Sequence, residues 1–301
     1  MFDLDGVLYV GPDPVPYAAA SVAGARDAGM RAAFVTNNAS RRPEVVAAHL
    51  TELGIAAEPE DVVTSAQAAV RWLAARLPPG SRVLVVGTDG LAEEVVAGGL
   101  APVRTAEGAV AVVQGLSTAT GWTDLAEACV AIRAGALWVA GNADATYPSR
   151  RGPLPGNGAM VAALRVATGR EPVVVGKPEP ELHQASVARV GADRPLVIGD
   201  RLDTDVLGAV RGGADSLLVL TGVTDLPTLL AAPAGMRPTY VGLDLRALLA
   251  PQLPVALHDG EARCGAARAW LHDGAVRSDG PAQEALRAAC ALAWSSAPDG
   301  A

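Results

Sequence analysis

The sequence predicts an α/β protein built from parallel sheets covered by helices, and three observations predict it. Short β-branched runs alternate with Ala-rich amphipathic stretches along most of the 301 residues. The strand candidates are almost continuously apolar, as strands buried on both faces are. Half of the residues are hydrophobic and 19% are charged, enough for a large core and too little charge for a disordered chain. In order, the strand candidates are Met1–Leu4, Ala32–Thr36, Val62–Ser65, Val83–Gly87, Ala109–Gln114, Leu137–Gly141, Pro172–Gly176, Leu196–Gly199, Ser216–Leu220 and Thr239–Val241. Between them lie helical patterns at Glu44–Leu53, Ala66–Arg76, Leu91–Gly98, Leu125–Ala134, Met160–Thr168 and Glu181–Val190. So many strands exceed one small sheet, and two α/β layers are expected. Leu77-Pro78-Pro79-Gly80 and Gly169–Pro172 carry the turn chemistry of hinges. Beyond about Pro254 two short strand-like pieces surround His258-Asp259-Gly260 and His272-Asp273-Gly274, followed by an Ala/Leu helix from Pro281 to Trp294.

Composition excludes several function classes. With 24 basic and 32 acidic side chains the net charge is −8, so no basic stripe is available for a nucleic acid. The mean hydropathy of +0.26 is spread thinly through Ala and Val. No apolar run approaches the roughly 18–20 residues that cross a bilayer, so no membrane partner is expected. The opening MFDLDGVLYVG has acids where a secretory leader has bases, and Cys129, Cys264 and Cys290 lack metal-type spacing. A cytoplasmic location is expected.

The exceptions to the compositional bias are informative. The chain has one lysine, Lys177, among its basic residues, and only four asparagines: Asn37, Asn38, Asn142 and Asn157. Several of these sit where strands end, which in open parallel sheets is where ligands bind. The first strand ends Asp3-Leu4-Asp5-Gly6, the second Thr36-Asn37-Asn38, a later one Gly176-Lys177, and the next Gly199-Asp200, with Asp203 and Asp205 just beyond. Taken singly, each has an ordinary reading as a cap or an Asx-turn. Together they would gather acids that need a cation. Hard oxygen donors without His or Cys favour Mg²⁺. Thr36, Asn37 and Lys177 supply donors suited to phosphoryl oxygens. One carboxylate can then act as nucleophile and another as general acid and base.

These residues resemble the four signature motifs of the haloacid dehalogenase superfamily, namely Asp3-x-Asp5-Gly6-Val7, Thr36-Asn37, Lys177 and Gly199-Asp200-x-x-x-x-Asp205. The long insertion between the second and third motifs resembles the class IIA, NagD-like phosphatases. Asn142–Pro148 and Leu154–Met160 are similar to characteristic cap stretches of that branch. The resemblance implies a Rossmann-like doubly wound core at 1–78 and 175–253, an inserted α/β cap of the class IIA type at 79–174, and a core extension at 254–301. Only Met1 and Phe2 precede Asp3, so the first strand is expected to be clipped.

The same resemblance implies a Mg²⁺-dependent phosphatase. Asp3 is the expected nucleophile and Asp5 the expected acid and base. The expected metal site is Asp3, Asp5 through its carbonyl, Asp200 and Asp205. Thr36, Asn37, Asn38 and Lys177 are expected to bind the phosphoryl group, and Asn142, Asp144, Tyr147 and Asn157 the leaving group, with Arg150 and Arg151 as secondary candidates. Cap stretches such as Val112–Ser117 and Gly121–Glu127 resemble phosphatases acting on D-glycerol 3-phosphate, the expected substrate. Phosphoglycolate, pyridoxal phosphate, a nucleotide or an aryl phosphate are the alternatives, and a homodimer through the cap is the expected assembly. Two readings of other classes remain: a non-catalytic sugar-phosphate sensor, and a dinucleotide-binding protein using Val86-Gly87-Thr88-Asp89-Gly90, which lacks the full glycine spacing.

Overall fold

The computed structural model describes residues 1–147 and 151–296. The chain divides into two compact units, one comprising Met1–Phe34, Leu50–Ala56 and Val190–Ala301, the other Val35–His49 and Ala57–Arg189. Each is described by itself. Among the described residues no helix is long and apolar enough to cross a membrane.

In the first unit the strands Leu196–Gly199, Asp215–Val219 and Tyr240–Gly242 pair in parallel in that order. The chain start completes the sheet. Phe2 bridges Phe34 on one side and Ile198 on the other, both in parallel. Asp3 N donates to Ile198 O at 2.8 Å, and Ile198 N donates to Met1 O at 2.8 Å. The expected strand Met1–Leu4 is thus present only as bridge pairing, because the backbone turns at Gly6, whose φ is +85°. Asp5 already belongs to that turn, bridging Tyr9. A residue without Cβ is what this left-handed conformation asks for.

The tail differs from expectation. The Asp-Gly pairs at 259–260 and 273–274 are turns, with φ of 47° and 78° and of 50° and 74°. They close two hairpins of a four-stranded antiparallel meander, Val255–His258 with Glu261–Cys264 and Ala267–His272 with Ala275–Asp279. Positive φ at both central residues is the signature of tight hairpins. The closing helix Ala282–Ser296 lies against this meander, where Ala262, Cys264 and Ala269 meet Ala288, Ala289 and Leu292. Small side chains on both faces allow close approach. The same helix inserts Leu286 and Cys290 among Leu202, Val206, Leu218 and Leu229.

The second unit carries a five-stranded parallel sheet ordered Val173–Val174, Leu137–Ala140, Ala111–Gln114, Arg82–Val86 and Ala101–Val103. Its core packs Leu84, Val86, Val112 and Trp138 against Ala128, Ile132, Val161 and Leu164 of the helices Trp122–Arg133 and Asn157–Thr168. The buried indole is satisfied, donating to Gln114 Oε1 at 3.1 Å. A short strand Val62–Thr64 pairs with Phe34–Thr36 and leads into the helix Ser65–Ala74. Thr64 and Gln67 start that helix with reciprocal bonds of 3.2 Å, from Gln67 N to Thr64 Oγ1 and from Thr64 N to Gln67 Oε1.

Burial pushes the Cys290 thiol up to about 12 and the Cys264 thiol upward in the same direction. Cys129 is only partly buried. Iodoacetamide at pH 8 is therefore expected to label Cys129 first, and Cys264 and Cys290 only after unfolding. Peptide mapping that finds Cys290 alkylated early in the native protein would detach the tail helix from the core.

Candidate active site

The first unit gathers acids at the carboxyl ends of its parallel strands. Asp3, Asp200 and Asp205 each offer a carboxylate oxygen, and these oxygens lie within 4.8 Å of one another. Asp200 and Asp205 are each 1% exposed. The backbone fixes them. Val223 N donates to Asp200 Oδ2 at 2.6 Å, Thr224 N donates to Asp200 O at 3.1 Å, and Arg201 N donates to Asp205 Oδ2 at 3.2 Å. Glycines clear the space: a Cβ at Gly222 would stand 2.0 Å from Asp200 Oδ2, and one at Gly199 2.2 Å from Asp205 Cβ. Asp203 stays outside the triplet, because Arg201 takes both its oxygens at 3.0 and 2.7 Å and holds its carboxyl below the usual range. Asp5 is exposed, and its carboxylate is not one of the three.

A cation placed among the three carboxylates would share their negative charge. The donors are all hard oxygens, as Mg²⁺ prefers, and oxygens on opposite sides of one such ion stand about 4 Å apart. The set fits a single small divalent cation.

In the second unit Asn142 follows the strand Leu137–Ala140, and Lys177 follows Val173–Val174, its parallel neighbour. Asn37 follows Phe34–Thr36. Lys177 N donates to Asn37 Oδ1 at 2.7 Å, and Asn37 Nδ2 donates to Lys177 O at 3.1 Å and to Asp144 Oδ2 at 3.3 Å. Asn142 Nδ2 donates to Asn37 O at 2.7 Å, and Asn157 Nδ2 to Asn142 O at 2.7 Å. The Thr36 hydroxyl, nearly buried, accepts from Asn38 N at 3.0 Å, which leaves its proton directed elsewhere. Asn38 Oδ1 closes an Asx-turn, accepting from Ser40 N at 2.7 Å and Ser40 Oγ at 2.6 Å.

Residues 1–101 match the family described as haloacid dehalogenase-like hydrolase, and residues 174–248 match a second described as HAD-hydrolase-like. The chain is 57% identical to D-glycerol 3-phosphate phosphatase of Mycobacterium tuberculosis over 249 residues, covering 82% of this chain and 70% of that protein. It is 37% identical to the 5′-nucleotidase YutF of Bacillus subtilis, over 74% of this chain and 87% of that one. Among solved structures it is similar to the glycerol phosphate phosphatase of M. tuberculosis in complex with magnesium, with a TM-score of 0.86 at 49% identity, covering 99% of this chain and 90% of that chain. The chain belongs to the haloacid dehalogenase-like hydrolases.

As a hydrolase of this family the chain brings Asp3, Asp200 and Asp205 together in one unit and Asn37, Asn142, Asp144, Asn157 and Lys177 in the other. Tyr147 is half-buried on a two-residue hairpin strand opposite Leu154. Arg151 is exposed, and Arg150 lies outside the described residues. Ser65, whose Oγ donates to Asn37 O at 2.6 Å, escaped the sequence reading. Its signal was a helix start directly after an apolar strand. The glycine loop read as a dinucleotide fingerprint is filled from within, since Arg104 donates to Val85 O, Gly87 O and Asp89 Oδ1 at 3.0, 3.1 and 2.8 Å.

Gly222→Ala tests the acid cradle without backbone strain. It is expected to displace Asp200 and weaken divalent cation binding by more than about tenfold while the fold persists. Unchanged Mg²⁺-dependent stabilisation in a thermal melt would contradict the cradle.

Proposed function

We propose that the chain is a Mg²⁺-dependent phosphatase that hydrolyses D-glycerol 3-phosphate to glycerol and phosphate through an aspartyl phosphate on Asp3. The acid triplet at 4.8 Å is the observation that carries the chemistry. The 57% identity to a D-glycerol 3-phosphate phosphatase supports the substrate.

In this reading Asp3, Asp200 and Asp205 would hold Mg²⁺ together with the Asp5 carbonyl, and the ion would supply charge neutralisation at the phosphoryl group. A carboxylate oxygen of Asp3 forms the new bond to phosphorus as the bond from phosphorus to the glycerol oxygen breaks. Asp5, exposed at the turn, delivers a proton to that departing oxygen. It then takes a proton from the water that attacks phosphorus, and the Asp3–phosphorus bond breaks to release phosphate. Thr36 contributes its hydroxyl proton and Lys177 its ammonium to the phosphoryl oxygens, which suits a reaction governed by positioning and charge. Asn37 contributes its main-chain N–H, because its side-chain amide already serves Lys177 and Asp144. Asp144 and Tyr147 are the cap side chains proposed to meet the glycerol hydroxyls. The amide donors of Asn142 and Asn157 are engaged within the protein. A cytoplasmic enzyme pairing through its cap completes the reading.

Phosphate release from both glycerol 3-phosphate enantiomers, with and without Mg²⁺, tests it, and a 5′-nucleotide and an aryl phosphate complete the panel. Higher kcat/KM for the D-enantiomer, only with Mg²⁺, is expected. A nucleotide preferred over both enantiomers overturns the substrate, and no Mg²⁺-dependent release from any ester overturns the chemistry. Asp3→Asn should lower turnover by at least about 10³-fold.

A further inference from the structure

Three of the four asparagines in the chain form a continuous series of hydrogen bonds that ends on the only lysine. Asn157, 2% exposed at the first residue of the helix Asn157–Thr168, donates to the main chain of Asn142. Asn142, 4% exposed, donates to the main chain of Asn37, and its own Oδ1 accepts from Asp144 N at 3.3 Å. Asn37 faces the Lys177 main chain with both ends of its amide, 140 positions away in sequence. A side-chain amide set against a peptide N–H and C=O reproduces a pair of ladder bonds. It fixes residue 177 in direction as well as position, which a single bond cannot do.

The surroundings leave little slack. A Cβ at Gly176 would stand 2.3 Å from Gly141 O and 2.7 Å from Asn37 Oδ1. One at Gly158 would stand 2.2 Å from Ala143 O, and one at Gly156 2.4 Å from Asp144 O. Backbone therefore lies on backbone along the whole series. Buried amide bonds in such a setting reinforce one another, and losing one leaves a buried carbonyl unpaired. With backbone this close at Gly156, Gly158 and Gly176, a displacement at residue 157 is passed on.

We propose that Asn157, Asn142 and Asn37 are a relay of positioning residues that sets where the Lys177 ammonium stands, so that the start of a remote helix governs phosphate affinity. The proposal rests on the reading of Lys177 as the phosphoryl-binding lysine.

The single lysine provides a direct readout, because protein labelled with ¹⁵N-lysine gives one main-chain amide signal, that of Lys177. Asn157→Ser is expected to move that signal and to weaken calorimetric binding of inorganic phosphate, in the presence of Mg²⁺, about five- to tenfold. Val166→Ala, on the same helix at a position 89% exposed, should do neither. Asn157→Asp, favourable at a helix start, removes the same donor and serves where Asn157→Ser does not fold. An unmoved signal, or unchanged phosphate binding, in the folded variant overturns the relay. Lys177→Ala binding phosphate as tightly as the parent protein would instead overturn the reading of Lys177 beneath it.

Discussion

Crowding of like charge is the constraint around which the first unit is organised. Carboxylates do not settle within 4.8 Å of one another by preference. They are held there because the chain start occupies the middle of the sheet. With Phe2 between Phe34 and Ile198, and Asp3 N bonded to Ile198 O, residues 3 and 200 leave adjacent strands at the same rim. The backbone donors from Val223 and Arg201 and the bare glycines at 199 and 222 then confine the oxygens. The fit to a hard divalent ion follows from the donor atoms, which are all carboxylate oxygens.

The second unit solves a different problem with neutral groups. Asn157, Asn142 and Asn37 each direct an amide donor at main-chain oxygen, taking the place of a peptide partner that a strand or helix would otherwise supply. That explains why asparagine persists in a chain so rich in Ala, Gly and Arg. Ala and Gly offer no side-chain donor, while a guanidinium is too large for backbones packed at the separations seen around Gly141, Gly156 and Gly176. The lysine survives the same bias. Lys177 is 5% exposed, and a compact ammonium differs from a planar guanidinium in shape and in the donors it offers.

The sheets and most helices were legible because short continuous apolar runs alternating with amphipathic ones can be buried only as strands under helices, whereas registers such as Val85↔Val113 are not stated by such runs. The motif residues were legible because an acid or a lone lysine at the end of an apolar strand is costly unless something uses it. The direction of each amide was not legible. Asn142 and Asn157 occupy the expected segments, yet nothing in their spacing says that Nδ2 turns inward. The tail was misjudged for a related reason. The segments around His258-Asp259-Gly260 and His272-Asp273-Gly274 read as two strand-like pieces, yet each Asp-Gly pair is a turn with a strand on either side, which makes four strands. Arg104 is a third case, since its place beneath the Gly87 loop depends on strand order that the sequence does not state.

Strand order also decides what the tail is for. Leu286 and Cys290 of the last helix share a cluster with Leu202 and Val206, which bracket a single π-helical turn over Leu202–Val206. Asp205 lies in that turn, and Asp203 leaves it toward Arg201. The acid that reaches the triplet is thus presented by a segment whose apolar side is roofed by the tail. Burying one leucine contributes about 1.5–3 kcal/mol, comparable with the worth of the bonds that orient the carboxylate. Gln283 ties the helix start to the sheet through Val241 O at 2.8 Å and Leu243 N at 3.0 Å, and Trp294 ties its far end to Leu229 O at 3.2 Å. Fastened at both ends, the helix packs on one cluster with the turn that carries Asp205 and on another with the antiparallel meander.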